Sequence, residues 1–310
     1  MKPAKKRKKM GRGKTIFYWS ILAFPILQFV IFYIGVNLNS FALAFQTFDY
    51  TGDGFTFIGF DKFFQNFIDV FKGFAEAKYL QSAVWNSVLV FILGLVVGLT
   101  LGLLFSYYIY KKCALSKLFK VILFLPYVIS SITMVIIYKY FVEQAVPEVA
   151  MKFMGIEMEG LLSNQNTEFG AIFFFTLWTG FGVQTLIYSS AMSGISNEIV
   201  EAAKIDGITP LKEFLYIDVP MIAPTIGVFV VSSTATLFVN QMNLFSFYGV
   251  EAPYNTYTIG YYLYRGISAA GTTLNEYPYY AAFGLVMTMI TIPITLIVRK
   301  AMNKLDPNEG

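Results

Sequence analysis

Long apolar stretches alternate with short polar segments along most of the 310-residue chain. A membrane-spanning helix requires about 20 mostly apolar residues, and six stretches meet that requirement. The pattern therefore predicts an all-α polytopic membrane protein with six transmembrane helices. These cover residues 16–36, 84–108, 121–141, 171–190, 222–245 and 279–298.

The same pattern divides the chain into five regions. A basic tail (1–15) precedes the first transmembrane helix (16–36) and a polar outer loop (37–83). A five-helix core (84–298) follows, and a short tail (299–310) ends the chain. The core contains one long polar connection, residues 191–220, between the fourth and fifth predicted spans.

Composition agrees with a membrane location. Apolar residues make up 56% of the chain and charged residues 14%, whereas soluble domains average about 45–50% and about 25%. Mean hydropathy is +0.59. These values exclude a disordered chain, a nucleic-acid binder and an ordinary cytosolic enzyme.

Two residue counts restrict the chemistry. The chain has no histidine and one cysteine, Cys113, which excludes Ser-His-Asp triads, imidazole metal ligands and an internal disulfide. Gly11-Arg12-Gly13-Lys14-Thr15 resembles the end of a phosphate loop, but Lys8 stands where that motif requires a glycine. We therefore predict no catalytic residue, no metal site and no cofactor bound by this chain.

Lysine and arginine are unevenly distributed among the loops. Cytoplasmic loops of membrane proteins carry an excess of these residues. The first fourteen residues, the 111–120 loop and the 299–310 tail are basic, which predicts that both termini are cytoplasmic. Sorted in this way, the inner side carries 17 basic and 7 acidic residues, and the outer side carries 6 and 12. The basic N-terminal segment then favours contact with anionic lipid over nucleic acid.

The 191–220 connection departs from this charge rule, because it is acidic although the topology makes it cytoplasmic. Ser196 or Asn197 can cap a first helix, and Gly207 can end that helix in a left-handed conformation. Thr209 can cap a second helix that has Pro210 at its first position. Two short helices are therefore predicted here, the second with an apolar stripe of Leu211, Phe214 and Leu215.

A motif in this connection resembles a known family. Glu201-Ala202-Ala203-x-x-Asp206-Gly207, followed after nine residues by Ile217-x-Val219-Pro220, resembles the EAA loop of binding-protein-dependent ABC importer permeases, with Val219 in the usual leucine position. We call residues 191–220 the EAA loop. The resemblance implies coupling helices that dock on a separate ATPase dimer, which binds ATP and Mg²⁺. It assigns docking to Glu201, Ala202, Ala203, Asp206 and Gly207.

Further stretches resemble the carbohydrate group of these permeases. Phe57-Ile58-Gly59-Phe60-Asp61-Lys62-Phe63 is similar to an outer-loop box of that group, and Asn86-Ser87 and Leu125-Pro126 also fit. The resemblance implies a type I ABC importer permease in a bacterial cytoplasmic membrane. It further implies a second permease subunit, an extracytoplasmic sugar-binding protein and a sugar that moves by alternating access.

The fifth predicted span is unusually polar. Ser232, Ser233, Thr236, Asn240 and Asn243 recur at helical spacing, with Gln241 adjacent. Amides and hydroxyls in a membrane must face protein or a water-filled path. Ser233, Thr236, Asn240, Gln241 and Asn243 are therefore candidates for a substrate path, with hydrogen bonds between helices as the alternative. Glycines at positions 94, 98 and 102 form a face that suits close helix packing.

Three other functions remain open at this stage. The first is an ABC permease for a different solute, such as an amino acid or a peptide. The second is a stand-alone secondary transporter or channel, which would need a buried coupling-ion site; inside the predicted spans the only ionisable group is Lys139, near one end. The third is a membrane-embedded enzyme, which would need a polar catalytic cluster.

Overall fold

The computed structural model describes residues 11–52, 54–268 and 274–305. Within these ranges the chain is mostly helical, with one two-stranded hairpin. The described residues divide into two compact units. The first comprises residues 11–70 and 274–285, and the second comprises residues 71–268 and 286–305. Residues 1–10, which carry most of the predicted basic tail, and residues 306–310 lie outside the described residues.

The first unit begins with a long apolar helix. It consists of α1 (Arg12–Gln28), a π-helical segment (Phe29–Gly35) and α2 (Val36–Leu43). The continuous stretch Gly13–Leu43 has 31 residues, and none of its most apolar window is buried within the chain. At 1.5 Å per residue it is about 46 Å long, which exceeds the roughly 30 Å hydrocarbon core of a bilayer. The first predicted span is therefore present as a helix that continues seven residues beyond residue 36.

A small aromatic hairpin follows in the predicted outer loop. Strand β1 (Gln46–Asp49) pairs antiparallel with β2 (Gly54–Phe57), with Gln46 opposite Phe57. At the turn, Asp49 accepts hydrogen bonds from the Thr51 hydroxyl and backbone N–H, and these bonds hold the pKa of Asp49 below its usual range. The alternation of Phe48, Phe55 and Phe57 with polar or small residues explains the two strands, which lie within the predicted outer loop (37–83).

Helix α3 (Gln65–Glu76) begins two residues after the outer-loop segment 57–63. The Asn66 amide donates to the carbonyl oxygens of Ala44 and Gln46, at 2.8 and 2.9 Å. The Phe45 ring stacks on Phe63. These contacts join the start of α3 to the end of α2 and the start of β1.

Three further helices match predicted spans. The second span is α4 (Lys78–Leu93), a π-helical segment (Gly94–Leu99) and α5 (Thr100–Tyr110), which together form one 33-residue helix. The fourth is α9 (Glu168–Ser193). The sixth is α16 (Tyr277–Asn303), preceded by a 3₁₀ turn (Leu274–Glu276).

The third predicted span is bent, and its prediction as one helix over 121–141 is wrong. Helix α6 (Ser116–Val128) and the helical stretch that begins at Ser131 meet at 108°. Ile129 and Ser130 have extended backbone conformations, with ψ of 145° and 133°. Pro126, one turn earlier, has no N–H to donate within α6, so the helix ends readily here. The second arm contains α7 (Ser131–Tyr140), a π turn (Phe141–Ala145) and α8 (Val146–Met154).

The fifth predicted span is also interrupted. Helix α13 (Ala223–Ala235) ends ten residues before the predicted end at 245, and only the short α14 (Leu244–Tyr248) follows. Between them Met242 and Asn243 have positive φ angles of 51° and 56°. Asparagine tolerates this left-handed region, and the Asn240 side chain accepts a hydrogen bond from the Met242 N–H at 2.9 Å. The polar residues therefore stabilise a turn where one continuous helix was predicted.

The rest of the second unit connects these helices. The EAA loop contains α10 (Asn197–Ile205), α11 (Pro210–Glu213), a π turn (Phe214–Asp218) and α12 (Val219–Met221). A 3₁₀ turn (Tyr254–Thr256) precedes α15 (Ile259–Ser268). A buried cluster joins α5, α9 and the EAA loop, including its helix α10, to α13. It contains Leu103, Tyr188, Met192, Ile195, Val200, Phe214, Ile222 and Ile226.

Among the described residues, four helices are long and apolar enough to span a membrane. The total rises to six when each of the two bent pairs, α6 with α7–α8 and α11–α12 with α13, is counted as one span. Each of the six predicted apolar regions contains helix, but the second bent pair covers residues 210–235 in place of the predicted 222–245, and its bend lies at Ile222.

Candidate functional site

The EAA loop has the local structure that its sequence predicts. The Ser196 hydroxyl accepts a hydrogen bond from the Glu198 N–H, so Ser196 is the cap of α10. Gly207 follows α10 with a φ of 73°, a conformation in which glycine is favoured because it lacks a Cβ. Pro210 occupies the first turn of α11. The predicted Thr209 cap is absent, because its side chain makes no capping hydrogen bond.

The five residues assigned to docking do not share one surface. Glu201, Ala202, Asp206 and Gly207 are exposed. Ala203 is buried, with 7% of its surface accessible, on the same side of α10 as Val200 of the buried cluster. The structure therefore offers four of the five residues to a partner, while Ala203 lets α10 approach the body of its own chain.

Three large apolar residues are exposed on the same loop. Ile205, Leu211 and Tyr216 are 86%, 64% and 72% accessible. In the predicted apolar stripe, Leu211 and Leu215 are exposed, while Phe214 is buried. Ile205 and Tyr216 were not among the predicted docking residues. The signal available for them was their large apolar side chains in a loop predicted to be cytoplasmic and rich in acidic residues.

A cavity of about 260 Å³ with a mixed lining, more apolar than polar, lies between α4 with its π-helical continuation, α9 and the end of α13. Its polar lining consists of hydroxyls and amides, and its apolar lining includes the rings of Phe91 and Phe173. The polar residues are Ser87, Thr176, Gln184, Ser233, Thr236 and Asn240. Three of the predicted path residues, Ser233, Thr236 and Asn240, thus line one cavity.

The other two predicted path residues lie elsewhere. Asn243 lines a second cavity of about 300 Å³, together with Ser131 and Thr179. Gln241 lines neither cavity. Because α13 ends at Ala235, the helical spacing that grouped these residues with Ser233 does not apply beyond that point. Gln184 and Thr176 on α9 were not predicted, because an apolar span with isolated polar residues gives no indication of which of them face a cavity.

The glycine face of the second span has two roles. A Cβ at Gly102 would lie 3.8 Å from atoms of Gln184 and Tyr188, so this glycine lies in the packed contact between α5 and α9. A Cβ at Gly94 would meet no atom within 4 Å, and Gly94 and Gly98 line the cavity. The predicted close packing is therefore present at Gly102, whereas Gly94 leaves open space.

The break after α13 is closed by a segment that packs against it. Thr258 donates from its hydroxyl to the Asn240 carbonyl at 2.7 Å. A Cβ at Gly260 would lie 2.8 Å from the same carbonyl oxygen, so only glycine allows this approach. The start of α15 therefore packs directly on the backbone of residues 239 and 240.

The Asn86-Ser87 pair holds this segment against the second span. The Asn86 amide donates to the carbonyls of Asn255 and Tyr257, at 2.8 and 2.9 Å. The Ser87 hydroxyl accepts from the Ile259 N–H at 2.9 Å. Both side chains are buried. The pair therefore fixes the backbone at residues 255–259 against α4, and Ser87 is itself part of the cavity lining.

Asn86→Ala is expected to destabilise the protein by about 1–3 kcal/mol, because one buried and one part-buried backbone carbonyl lose their donor. The measurement is the thermal unfolding midpoint of the purified chain in detergent. Asn37→Ala is the control, since Asn37 is exposed and bonds only within its own helix; its effect should stay within about 0.5 kcal/mol. Equal midpoints for the two variants would contradict the assigned contact.

One known protein family matches this sequence over most of its length. The profile of the family described as "Binding-protein-dependent transport system inner membrane component" matches residues 94–308. This region covers more than two thirds of the chain and includes the EAA loop and most of the cavity lining.

Several characterised proteins are similar over nearly their whole length. The multiple sugar-binding transport system permease protein MsmF of Streptococcus mutans is 27% identical over 298 residues, covering 93% of this chain and 96% of its own. The arabinooligosaccharides transport system permease protein AraP of Bacillus subtilis is 24% identical, with 89% and 85% covered.

Solved structures share the fold. A chain of a bacterial ABC transporter involved in the import of the acidic polysaccharide alginate superposes with a TM-score of 0.75 at 21% identity, covering 94% of this chain and 96% of that chain. A chain from the alginate transporter in complex with an alginate pentasaccharide-bound periplasmic protein gives the same TM-score at 20% identity.

Proposed function

This chain belongs to the family of binding-protein-dependent transport system inner membrane components, and from that premise we propose that it imports an oligosaccharide. As a permease subunit it is a transport component and not an enzyme. Its fold is that of a helical membrane subunit of an ABC importer. The observation that carries the proposal is the cavity between the second, fourth and fifth spans, in which hydroxyls and amides are set among glycines and apolar side chains.

The chemistry of the cavity suits an uncharged, hydroxyl-rich solute. Hydroxyl and amide side chains donate and accept hydrogen bonds, and the Phe91 and Phe173 rings offer apolar surface to the C–H faces of a sugar. The lining residues carry no charged side chain. The sugar and arabinooligosaccharide names of the relatives support the same substrate class.

Transport requires partners, which we propose from the family and from the exposed surfaces. A second permease completes the path with this chain, and an extracytoplasmic binding protein delivers the sugar. A cytoplasmic ATPase dimer binds ATP and Mg²⁺ and docks on the EAA loop. Exposed Glu201, Ala202, Asp206 and Gly207, together with apolar Ile205, Leu211 and Tyr216, supply a mixed surface of the kind found at stable interfaces.

The membrane orientation follows from the loop charges. We propose that both termini and the EAA loop are cytoplasmic, because the loops on that side carry the lysine and arginine excess. The hairpin and α3 would then lie on the outer side, where the binding protein arrives. Cysteine labelling of exposed Cys113 tests this orientation: a membrane-impermeant reagent should label it only in inverted vesicles.

The proposed function is tested by uptake in cells that lack the gene. Deletion should abolish uptake of radiolabelled oligosaccharides at low concentration, and expression of the intact chain should restore it. Labelled amino acids and peptides serve as controls in the same cells. Restored uptake of one of these in place of an oligosaccharide would contradict the sugar assignment while retaining the permease.

Gln184→Leu is expected to raise the half-saturating sugar concentration by roughly fivefold, because one hydrogen bond to the solute, worth about 1 kcal/mol, is lost. Gln184 lines the cavity and is half-buried. Gln144→Leu is the control, since Gln144 is exposed and remote from the lining. Equal uptake curves for the two variants would remove Gln184 from the path.

A further inference from the structure

The second span is attached to the EAA loop by a cluster of specific contacts. Directly after α5, the Lys111 ammonium lies 2.5 Å from Glu213 Oε1 at the end of α11. The Glu213 side chain is 7% accessible and that of Lys111 is 24% accessible. The pair is therefore largely shielded from water, unlike an ordinary exposed ion pair.

Four further contacts surround this ion pair. The Tyr107 hydroxyl donates to the Pro210 carbonyl at 2.9 Å. The Tyr107 ring packs on Phe214, with 5.0 Å between ring centroids. The Lys111 ammonium lies over the Tyr107 and Tyr110 rings, at 5.3 and 4.6 Å from their centroids. We call the Lys111–Glu213 and Tyr107–Pro210 contacts the α5 latch.

The surrounding charges make Lys111 hard to replace. Asp218, one turn after Glu213, is fully buried, and neither of its carboxylate oxygens has a hydrogen-bond partner among the described residues. Burial raises the pKa of the Asp218 carboxyl to about 6, and the positive charge of Lys111 opposes that rise. Removal of Lys111 would therefore leave two buried acids facing each other without a cation, which is strongly unfavourable.

The latch joins the loop to a rigid element that reaches the cavity. From Tyr110 the helix runs without interruption through Gly102 to Gly98 and Gly94, which line the cavity. A helix transmits displacement along its axis because its backbone hydrogen bonds are continuous. A movement of α11 therefore displaces the glycine-lined wall, provided that the latch holds.

We propose that the α5 latch makes the EAA loop and the second span move as one body, so that ATPase motion reaches the cavity wall. This proposal rests on the proposed function and assigns Lys111, Glu213 and Tyr107 as positioning residues. They touch neither sugar nor ATP. Their expected effect is on the amount of sugar moved per ATP hydrolysed.

The first test is a double-mutant cycle in proteoliposomes that contain the complete transporter. Lys111→Met and Glu213→Gln should each lower the sugar-to-ATP ratio several-fold while ATP hydrolysis continues. The losses should not add in the double variant, because both substitutions remove the same contact. Lys112→Gln, a loss of charge at the adjacent exposed residue, is the matched control. Unchanged ratios in assembled variants, or strictly additive losses, would overturn the latch.

The second test does not depend on sugar transport. Spin labels on native Cys113 and on Asn197→Cys, at the start of α10, report the distance between the end of the second span and the loop. With the ATPase bound, this distance should stay constant on addition of ATP in the otherwise unaltered chain. It should change in the Lys111→Met, Glu213→Gln chain.

A distance that changes equally in both chains would overturn the latch even if sugar uptake is normal. If sugar uptake is absent but the distance is constant in the otherwise unaltered chain and changes in the double variant, the sugar assignment is contradicted and the latch is supported. If the ion-pair variants fold poorly, Tyr107→Phe is the milder substitute. It removes only the hydrogen bond from the Tyr107 hydroxyl to the Pro210 carbonyl. It should lower the sugar-to-ATP ratio less than the ion-pair variants do.

Discussion

Glu201→Lys and Gly207→Val are each expected to abolish most ATP-driven uptake while the chain is still made and inserted. Glu201 is exposed at the centre of α10, where a reversed charge would oppose a basic partner surface. Gly207 has a φ of 73°, and a β-branched side chain there is strained by about 1–2 kcal/mol and would tilt α10 relative to α11. Losing one central docking residue costs about 2 kcal/mol, or roughly 30-fold in ATPase affinity.

Co-purification of the ATPase with tagged permease measures this directly. Gly155→Val is the control, because Gly155 also has a left-handed φ, 65°, but ends α8, far along the chain from the EAA loop. Gly155→Val introduces a similar backbone strain at a residue outside the docking surface. Retained ATPase in both the Gly207 and Glu201 variants, with normal uptake, would show that the EAA loop is a structural turn.

Gly94→Leu is expected to reduce sugar uptake by at least about tenfold while leaving the protein folded. A side chain at Gly94 meets open space and projects into the cavity region, so it occupies volume that a solute needs without a clash in the apo chain. A loss of about 1.4 kcal/mol in solute binding is tenfold, and an added isobutyl group would displace several solute contacts. ATP hydrolysis should persist, because the EAA loop is unaltered.

The control for this variant is Gly170→Leu. Gly170 lies on α9, also has no atom within 4 Å of an added Cβ, and does not line the cavity. Uptake and ATP hydrolysis are measured for both variants in the same assay. Normal uptake by the Gly94 variant would place the path outside this cavity.

The apolar pattern was sufficient to locate the helices that can cross a membrane, because length and hydropathy determine which segments can lie in lipid; the described residues contain four, or six if each bent pair is one span. It was insufficient to predict the bend at Ile129–Ser130 and the end of α13 at Ala235. A hydropathy pattern averages over about 20 residues, whereas a bend depends on the conformation of one or two. Pro126 and the Asn240 side chain were the local signals for these bends, and both also occur in uninterrupted helices.

The EAA loop was predictable in more detail than the cavity. Its caps and its left-handed glycine are local, and Ser196, Gly207 and Pro210 have the predicted positions. The cavity depends on which faces of distant helices meet. Gln184 and Gly94 are about 90 residues apart in the sequence, and only the packing of α9 along the second span places both on one lining. The burial of Ala203 was missed for the same reason.

ATP hydrolysis by the reconstituted transporter, measured with and without sugar-loaded binding protein, tests the central claim most directly. The complex would contain this chain, the second permease and the ATPase dimer in liposomes, with sugar accumulation followed in the same sample. We expect that sugar-loaded binding protein stimulates hydrolysis and that sugar accumulates only when ATP, ATPase and binding protein are all present. Accumulation by this chain without the ATPase, driven by an ion gradient, would contradict its role as an ABC importer permease.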